Sequence, residues 1–388
     1  MRHLILDVET TISNKGNPFD ETNKLVMVGL RNIAWGEHTY DIEYGDEPYG
    51  ENLKTIQEKI DWCDCIVGFN IKFDLHWLAK YGIKFSHKKI WDCQLTQFML
   101  SGQTDTYPSL NRTCEHYGLE KKLDLVKENY WNNGIDTPDI PRDILEEYLL
   151  KDLELTEQVL IKQYEELKDN HLLNRLVSLH NQDLLGLQEM EFNGLLFNQT
   201  WSETLGAELE EQIAKLDKRL YTYHNFDTFN ANSNDHISCL LYGGSISYRV
   251  QVNDGVYKTG EKKGQEKLKW ETREHKLERL CNPLKKSELA KEGYYSTDER
   301  TLKSLKGSKK AKEVISILLN RSALNKRMGT YYLGLPKLIL DMNWKHGIIY
   351  GQLNQCVART GRLSSSKPNL QNFDGEIKGL FTTRYGEV

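Results

Sequence analysis

The chain has 388 residues, 39% of them hydrophobic, and carries 51 Lys and Arg against 56 Asp and Glu, a formal net charge of −5. That length allows two or three compact units with ordinary cores, which excludes a disordered or fibrous chain. The opening MRHLILDVET includes acids and no apolar run of signal or membrane-span length, so a cytoplasmic protein with no membrane partner is expected.

LILDV alternates as a strand, a turn spans Asn14 to Asp20, and LVMVGL with a further strand near Ile33 completes an antiparallel meander. CIVGFN reads as a short buried strand, and FDLHWLAKYGI behind it has the helical spacing of Phe73, Trp77 and Leu78. From Pro141, RDILEEYLLKDLELTEQVLIKQYEEL is a long amphipathic helix with proline in its first turn. Helices follow to Met190, so mixed α/β gives way to mostly α near residue 165. FNGLL (Phe192 to Leu196) reads as a turn into the helix GAELEEQIAKLDKRLYTY.

Residues 255–293 are strongly charged with little periodicity, as in an extended or hairpin insertion. From Lys258 to Lys312 there are 17 Lys and Arg against nine Asp and Glu, whereas the first 165 residues are rich in acid. Such asymmetry suits a polyanion bound by one part and handled by another, and equally a solvated insertion. Helices resume in DERTLKSL and KEVISILLNRSALNKRMGTYYLGLPKLIL, and IIYGQLNQ alternates as a strand. Cys63, Cys65, Cys93, Cys114, Cys239, Cys281 and Cys356 are scattered and odd in number, which suggests neither a disulfide framework nor a zinc site.

Strand alternation puts Ile5, Asp7 and Glu9 on one face and Leu4, Leu6 and Val8 on the other. Adjacent carboxylates repel and resist ionisation, so they persist more easily with a divalent cation between them. The same spacing recurs at Asp41-Ile42-Glu43 and at Asp152-Leu153-Glu154. Asp74 lies in VGFNIKFDL, where Asn70 is placed to cap the following helix and Asp74 favours its positive end. Tyr148 and Asp152 are four apart on a helix and share a face, a pairing repeated at Tyr223 and Asp227.

Order and context distinguish these matches: D-x-E on a strand, then N-x-x-x-F-D from strand to helix, then Y-x-x-x-D on a helix. Over roughly Met1 to Leu160 the chain resembles the DEDD exonuclease superfamily, in the branch whose third motif carries a tyrosine. The resemblance implies an RNase H-like sheet with two divalent cations, Mg2+ or Mn2+, held by Asp7, Glu9, Asp74 and Asp152. It further implies that Tyr148 orients the attacking water and that Asn70, Phe73, Thr10 and Ile12 lie beside the terminal nucleotide. Phe73 stands where many relatives have tyrosine, which keeps a ring for stacking.

TGRLSSSKPNLQN (Thr360 to Asn372) resembles the T-G-R-L-S-S-x-x-P-N-L-Q-N signature of family A DNA polymerases. In that family this stretch opens the palm, so Arg362, Asn369, Gln371 and Asn372 are implied to face primer–template DNA. Arginine and amide donors suit a minor groove, whose base-edge acceptors vary little with sequence. LNKRMGTYYLGLPKLI resembles the family's thumb and implies duplex contacts by Lys326, Arg327, Thr330 and Tyr331. Phe373 departs from the usual Ile-Pro pair, and Lys378 stands where arginine is frequent, keeping charge without bidentate geometry.

The resulting expectation is an α/β chain: an RNase H-like exonuclease domain (1–165), a mostly α-helical thumb with the basic insertion (166–345), and the first strands of a palm (346–388). Polymerase carboxylates and fingers are expected beyond Val388, on a second polypeptide of a split polymerase or on a truncated remainder. Leu380 and Phe381 are expected to need a partner's cover. Single-stranded 3′ ends and primer–template duplex are the implied substrates, a processivity factor is a possible partner, and the charged thumb insertion resembles phage members of the family, which implies a phage origin in an infected bacterial host. A DNA-clamping assembly subunit with a degenerate nuclease, and an RNA-trimming enzyme, are the competing functions.

Overall fold

β1 (His3–Thr10) is a central strand because Leu4, Ile5, Leu6 and Val8 are all buried, so both of its faces are covered. It sits in a five-stranded sheet of order β3-β2-β1-β4-β5, with β2 at Leu25–Asn32, β3 at Gly36–Asp41, β4 at Cys65–Gly68 and β5 at Lys89–Asp92. The first three strands pair antiparallel, the expected meander. β4 and β5 run parallel to β1, with α1 (Gly50–Trp62) leading into β4 and α2 (Lys72–Lys80) crossing from β4 to β5. The structure is a computed structural model that describes residues 1–32, 35–42, 50–122 and 125–383, so the strand expected near Ile33 falls at a position outside the described residues.

β5 runs directly into α3 (Cys93–Leu100), whose first turn is capped by Asp92, its carboxylate accepting from the amides of Gln94 and Leu95 at 2.8 and 3.2 Å. α4 (Leu110–His116) and α5 (Leu125–Asn129) precede the long α6 (Arg142–Leu167). Pro141 immediately precedes the first helical residue and so occupies the cap rather than the first turn. α6 buries Tyr148, Leu149, Asp152, Leu153, Thr156, Val159 and Leu160. Its approach to the sheet depends on Gly29 of β2: a Cβ there would stand 2.8 Å from both Leu149 and Leu153. Gly29 is the direct cross-strand partner of Asp7, so this close packing brings α6 down beside the acidic end of β1.

α7 (His171–Asn193) ends at Gly194, and Leu195–Phe197 forms β6. The turn at FNGLL thus opens a short strand before the expected helix, Gln199–His224. The hydrogen-bond partners of β6 are β9 (Ile348–Ile349) and β12 (Phe381–Thr382), far along the chain, and no local pattern announces them.

Contact density divides the chain into two units, Met1–Gln199 with Leu335–Val388, and Thr200–Gly334. The first therefore includes α7, grouped with the helical region from sequence. In the second, α8 (Gln199–His224), α9 (Asn234–Tyr242), α10 (Glu299–Ser304) and α11 (Lys309–Arg327) enclose a core of Leu220, Leu240, Leu241, Val314 and Leu318. Arg321 is buried there against Asp217, Asn232 and the Ala231 carbonyl, so its charge is fully paired. The expected insertion (255–293) coincides only in part with a long antiparallel hairpin of β7 (Gly244–Val256) and β8 (Glu266–Leu277), which starts earlier, ends at Leu277 and is largely exposed beyond its base.

α12 (Gly334–Asp341) leads back to the first unit, where β10 (Gln352–Asn354) pairs with β11 (Ser364–Ser366). IIYGQLNQ is thus two short strands rather than one. A four-residue helix, α13 (Gly375–Lys378), precedes β12. Leu380 is fully buried and Phe381 packs on Phe197 and Phe373 with ring centroids 5.8 and 5.3 Å apart. The expectation that these two residues need cover from another chain is therefore corrected, because Leu380 is already buried within this chain and Phe381 packs on Phe197 of β6 and on Phe373. All seven cysteines are buried free thiols, and among the described residues no helix is long and apolar enough to cross a membrane.

Candidate metal and nucleic-acid site

β1 and α6 bring Asp7, Glu9 and Asp152 together, with one carboxylate oxygen of each lying within 4.8 Å of the others. Asp74, in the first turn of α2, is buried and anchored to β1 by the Val8 amide at 3.0 Å. Four acids expected from widely separated motifs thus share one locality. Burial first and the Asp152 charge second push the Asp7 carboxyl up to about 7. Burial and the neighbouring Asp7 likewise hold Glu9 and Asp74 well above the usual carboxylate range.

Tyr148 lies one turn before Asp152 and is buried against Trp131, edge to face at 5.6 Å between centroids. Burial and the charge of Glu9 raise its phenol, so it stays protonated and can donate a hydrogen bond. The repeats that made the motifs ambiguous separate in three dimensions. Asp152-Leu153-Glu154 lies on a helix, Asp41 pairs with Arg142 at 2.7 Å, and Glu43 is outside the described residues.

The donor set fits a hard divalent cation: clustered, buried, all-oxygen and short of positive charge. It also contains a residue that sequence reading missed. The ammonium of Lys122 pairs with Asp152 and stands 4.2 Å from the centre of the Tyr148 ring. Burial would lower its pKa, but Asp152, Tyr148, Asp7 and Glu9 together outweigh that and raise it. Asn111 holds the Lys122 backbone by accepting its amide at 2.7 Å. Nothing in GLEKKLDL separates Lys122 from a solvated lysine.

Asn70 and Phe73 both line a cavity of about 350 Å³, together with Lys15, Lys72, Tyr107 and Lys367. Asn70 does not cap α2 with its side chain. The cap position is Ile71, and Asn70 instead adopts a left-handed backbone (φ 62°) whose amide donates to Asp92 at 3.0 Å. Its side chain is left exposed at the cavity wall. Thr10 and Ile12 are not in that lining; Thr10 lies by the Gly16 turn, and the Ile12 amide donates to Asp136 at 2.9 Å. Gly16 has φ +67°, and a Cβ on it would come 2.4 Å from Thr10 Oγ1 and 3.3 Å from Phe73, so a bare backbone is needed where the turn meets both.

In the second signature Arg362, Asn369, Gln371 and Asn372 are all exposed. Two of the amides brace the loop itself: Asn369 Oδ1 accepts the Gln371 amide at 3.1 Å, and Gln371 Nε2 donates to the Leu363 carbonyl at 2.8 Å. Of the residues implied in the second unit, Lys326 and Thr330 are exposed and Arg327 and Tyr331 half-buried, all at the end of α11 and the π-helical turn Met328–Tyr332.

A mixed five-stranded sheet with clustered acids therefore stands in one chain with a helical unit and the TGRLSS strand pair. Residues 199–385 match DNA polymerase family A. The chain is 28% identical over 308 residues to DNA polymerase I of Synechocystis sp., covering 78% of this chain and 26% of that protein. It is 22% identical over 429 residues to the DNA polymerase of Bacillus phage SP01, covering 99% of this chain and 45% of that protein. The POL domain of Pol1 from M. smegmatis, solved in complex with DNA primer-template and dNTP, has the same fold with a TM-score of 0.60 over 96% of this chain and 52% of its own, at 16% identity. The chain is thus similar to family A DNA polymerases along its length, and it spans less than half the length of these two relatives.

Proposed function

We propose that this chain is the metal-dependent 3′–5′ exonuclease and primer–template-binding portion of a family A DNA polymerase, removing mismatched 3′ nucleotides from DNA. The observation that carries the reading is the convergence of Asp7, Glu9 and Asp152 within 4.8 Å, with Asp74 tied to the same strand. Asp7, Glu9, Asp74 and Asp152 would hold two divalent cations, Mg2+ or Mn2+, which when bound supply Lewis acidity and a nucleophile at neutral pH. The protein's own groups do the positioning. Phe73 offers a ring face to the terminal base, the Asn70 amide a hydrogen bond, and the Tyr148 hydroxyl a donor that orients the attacking water. Water adds to phosphorus, the bond to the 3′ oxygen breaks, that oxygen takes up a proton, and a nucleoside 5′-monophosphate leaves.

Arg362, Asn369, Gln371 and Asn372, with Lys326, Arg327, Thr330 and Tyr331, are proposed to hold primer–template duplex, and the β7–β8 hairpin offers lysines to its phosphates. Synthesis itself would be the work of further palm and fingers residues, on the same polypeptide or on a second one. One observation favours the competing reading, a DNA clamp with an inactive nuclease: an ammonium already pairs with Asp152. A single assay separates them. Labelled single-stranded DNA, mismatched duplex and RNA are incubated with Mg2+ and either the wild type or the Asp7→Ala, Glu9→Ala double variant. Excision of DNA by the wild type alone supports the exonuclease; equal activity in both refutes it; preference for RNA would redirect the substrate.

A further inference from the structure

The carboxylate cluster holds its own cation. Lys122 pairs with Asp152, lies over the Tyr148 ring at 4.2 Å and faces Asp7 and Glu9. Its side chain is only 26% exposed, and that of Asp152 only 4%, so the ammonium is inserted into the cluster rather than lying over it in solvent. The insertion is built from the backbone outward, because the Asn111 carboxamide accepts the Lys122 amide at 2.7 Å and holds the root of the side chain beside α6. Four acids that would otherwise repel one another in a buried pocket thereby gain one compensating charge without any ion.

We propose that Lys122 is a resident counter-cation of the exonuclease pocket, which divalent metal must displace from Asp152 in order to bind there. The inference rests on the exonuclease reading above. The ammonium occupies the Oδ2 side of Asp152 and its charge repels an incoming dication, so metal binding and the Lys122–Asp152 pair compete. With all four acids ionised the pocket carries −4 from Asp7, Glu9, Asp74 and Asp152 and +1 from Lys122, a net of −3. Removing the lysine raises the attraction for a divalent ion and removes the competitor. The long, flexible lysine stem allows the displaced ammonium to swing out without moving the backbone. Lys122 is thus a positioning residue that sets metal affinity and keeps the acids assembled when metal is absent.

The test measures Mn2+ binding to the full chain by electron paramagnetic resonance for wild type, Lys122→Met and the Asp7→Asn, Glu9→Gln variant. Lys122→Met keeps the length of the stem and removes the charge. It is expected to bind Mn2+ at least about ten-fold more tightly, the part of the unit charge's interaction at an effective dielectric of about 20 that rehydration of the displaced ammonium does not offset. A second readout uses the wild type alone, in case the Met variant does not fold: acetylation of the Lys122 amine, followed by mass spectrometry, is expected to rise several-fold when Mn2+ is added. Binding by Lys122→Met that is unchanged or weaker, or Lys122 reactivity that does not rise with Mn2+, overturns the inference while leaving the exonuclease reading intact. Mn2+ binding as tight in the Asp7→Asn, Glu9→Gln variant as in wild type overturns both.

Discussion

Asp7→Asn is expected to stabilise the metal-free protein at alkaline pH while abolishing the proposed exonuclease activity. The Asp7 carboxyl is raised to about 7 from an ordinary value of 3.8, by burial and then by Asp152. A carboxyl whose pKa is higher folded than unfolded binds its proton more tightly in the native state, so native stability falls as pH rises. The contribution is intact below the unfolded value near 4 and is lost as pH passes through about 7. The full shift corresponds to about 4 kcal/mol at 1.36 kcal/mol per unit, and the partial exposure of Asp7 reduces this to roughly 1–3 kcal/mol. Urea unfolding in EDTA, followed by tryptophan fluorescence at pH 3.5, 6 and 8, reads it directly. The Asn variant should match wild type within about 0.5 kcal/mol at pH 3.5 and exceed it by roughly 1–3 kcal/mol at pH 8. Adding Mn2+ should reverse the order, because the ion then stabilises only the native state that holds it. A variant less stable than wild type at pH 8 in EDTA, or a difference that does not change with pH, would refute the electrostatic argument.

Tyr148→Phe keeps the ring against Trp131 and should leave stability within about 1 kcal/mol while slowing single-stranded DNA excision by about 10- to 100-fold, measured under single-turnover conditions. Gly29→Val should cost about 1–3 kcal/mol and weaken Mn2+ binding, since its side chain would meet Leu149 and Leu153 at a 2.8 Å approach and push α6 away from β1. Leu380→Ala should lose about 2–5 kcal/mol in urea unfolding of the chain by itself, because Leu380 is fully buried; an unchanged stability would contradict that burial. Arg362→Ala should weaken primer–template binding and, if its contact is to phosphate, lower the slope of log affinity against log salt by about 1.

The parts of the fold that could be read in advance are those whose hydrophobic period is closed locally. β1, β2 and α6 announce themselves in this way, and so does the D-x-E of β1 once its rivals are placed on a helix and beside Arg142. What stayed hidden depends on partners remote in sequence. β6 is three residues long and takes both its neighbours from beyond residue 347. Lys122 is written like any surface lysine and acquires meaning only from Asp152, 30 positions later. Gly29 resembles an ordinary strand glycine until α6 is seen to need its missing side chain. Asn70 was legible as a cavity residue but not in its backbone, since an asparagine before a helix suggests a cap and only the structure reveals the left-handed turn.

Glu191 explains why the carboxylate sheet and the TGRLSS strands form one unit rather than two. It is buried near the end of α7, where its carboxylate accepts from His76 at 2.8 Å and Lys72 at 2.6 Å, both on α2, and from the Leu353 amide of β10 at 2.5 Å. Lys72 closes the junction by donating to the Leu353 carbonyl at 2.5 Å. One side chain therefore ties the helix that carries Asp74 and Phe73 to the strand paired with β11. A buried carboxylate with three donors is costly to leave half-satisfied, so shifting β10 relative to α2 would strand either an ammonium or an anion. The exposed Arg362 is positioned through the same frame, with β10 holding β11 and Gln371 holding the Leu363 carbonyl beside it. The proposed duplex contact of Arg362 and the proposed excision pocket are thus parts of one hydrogen-bonded unit, and a duplex held at one would limit where a frayed end can reach the other.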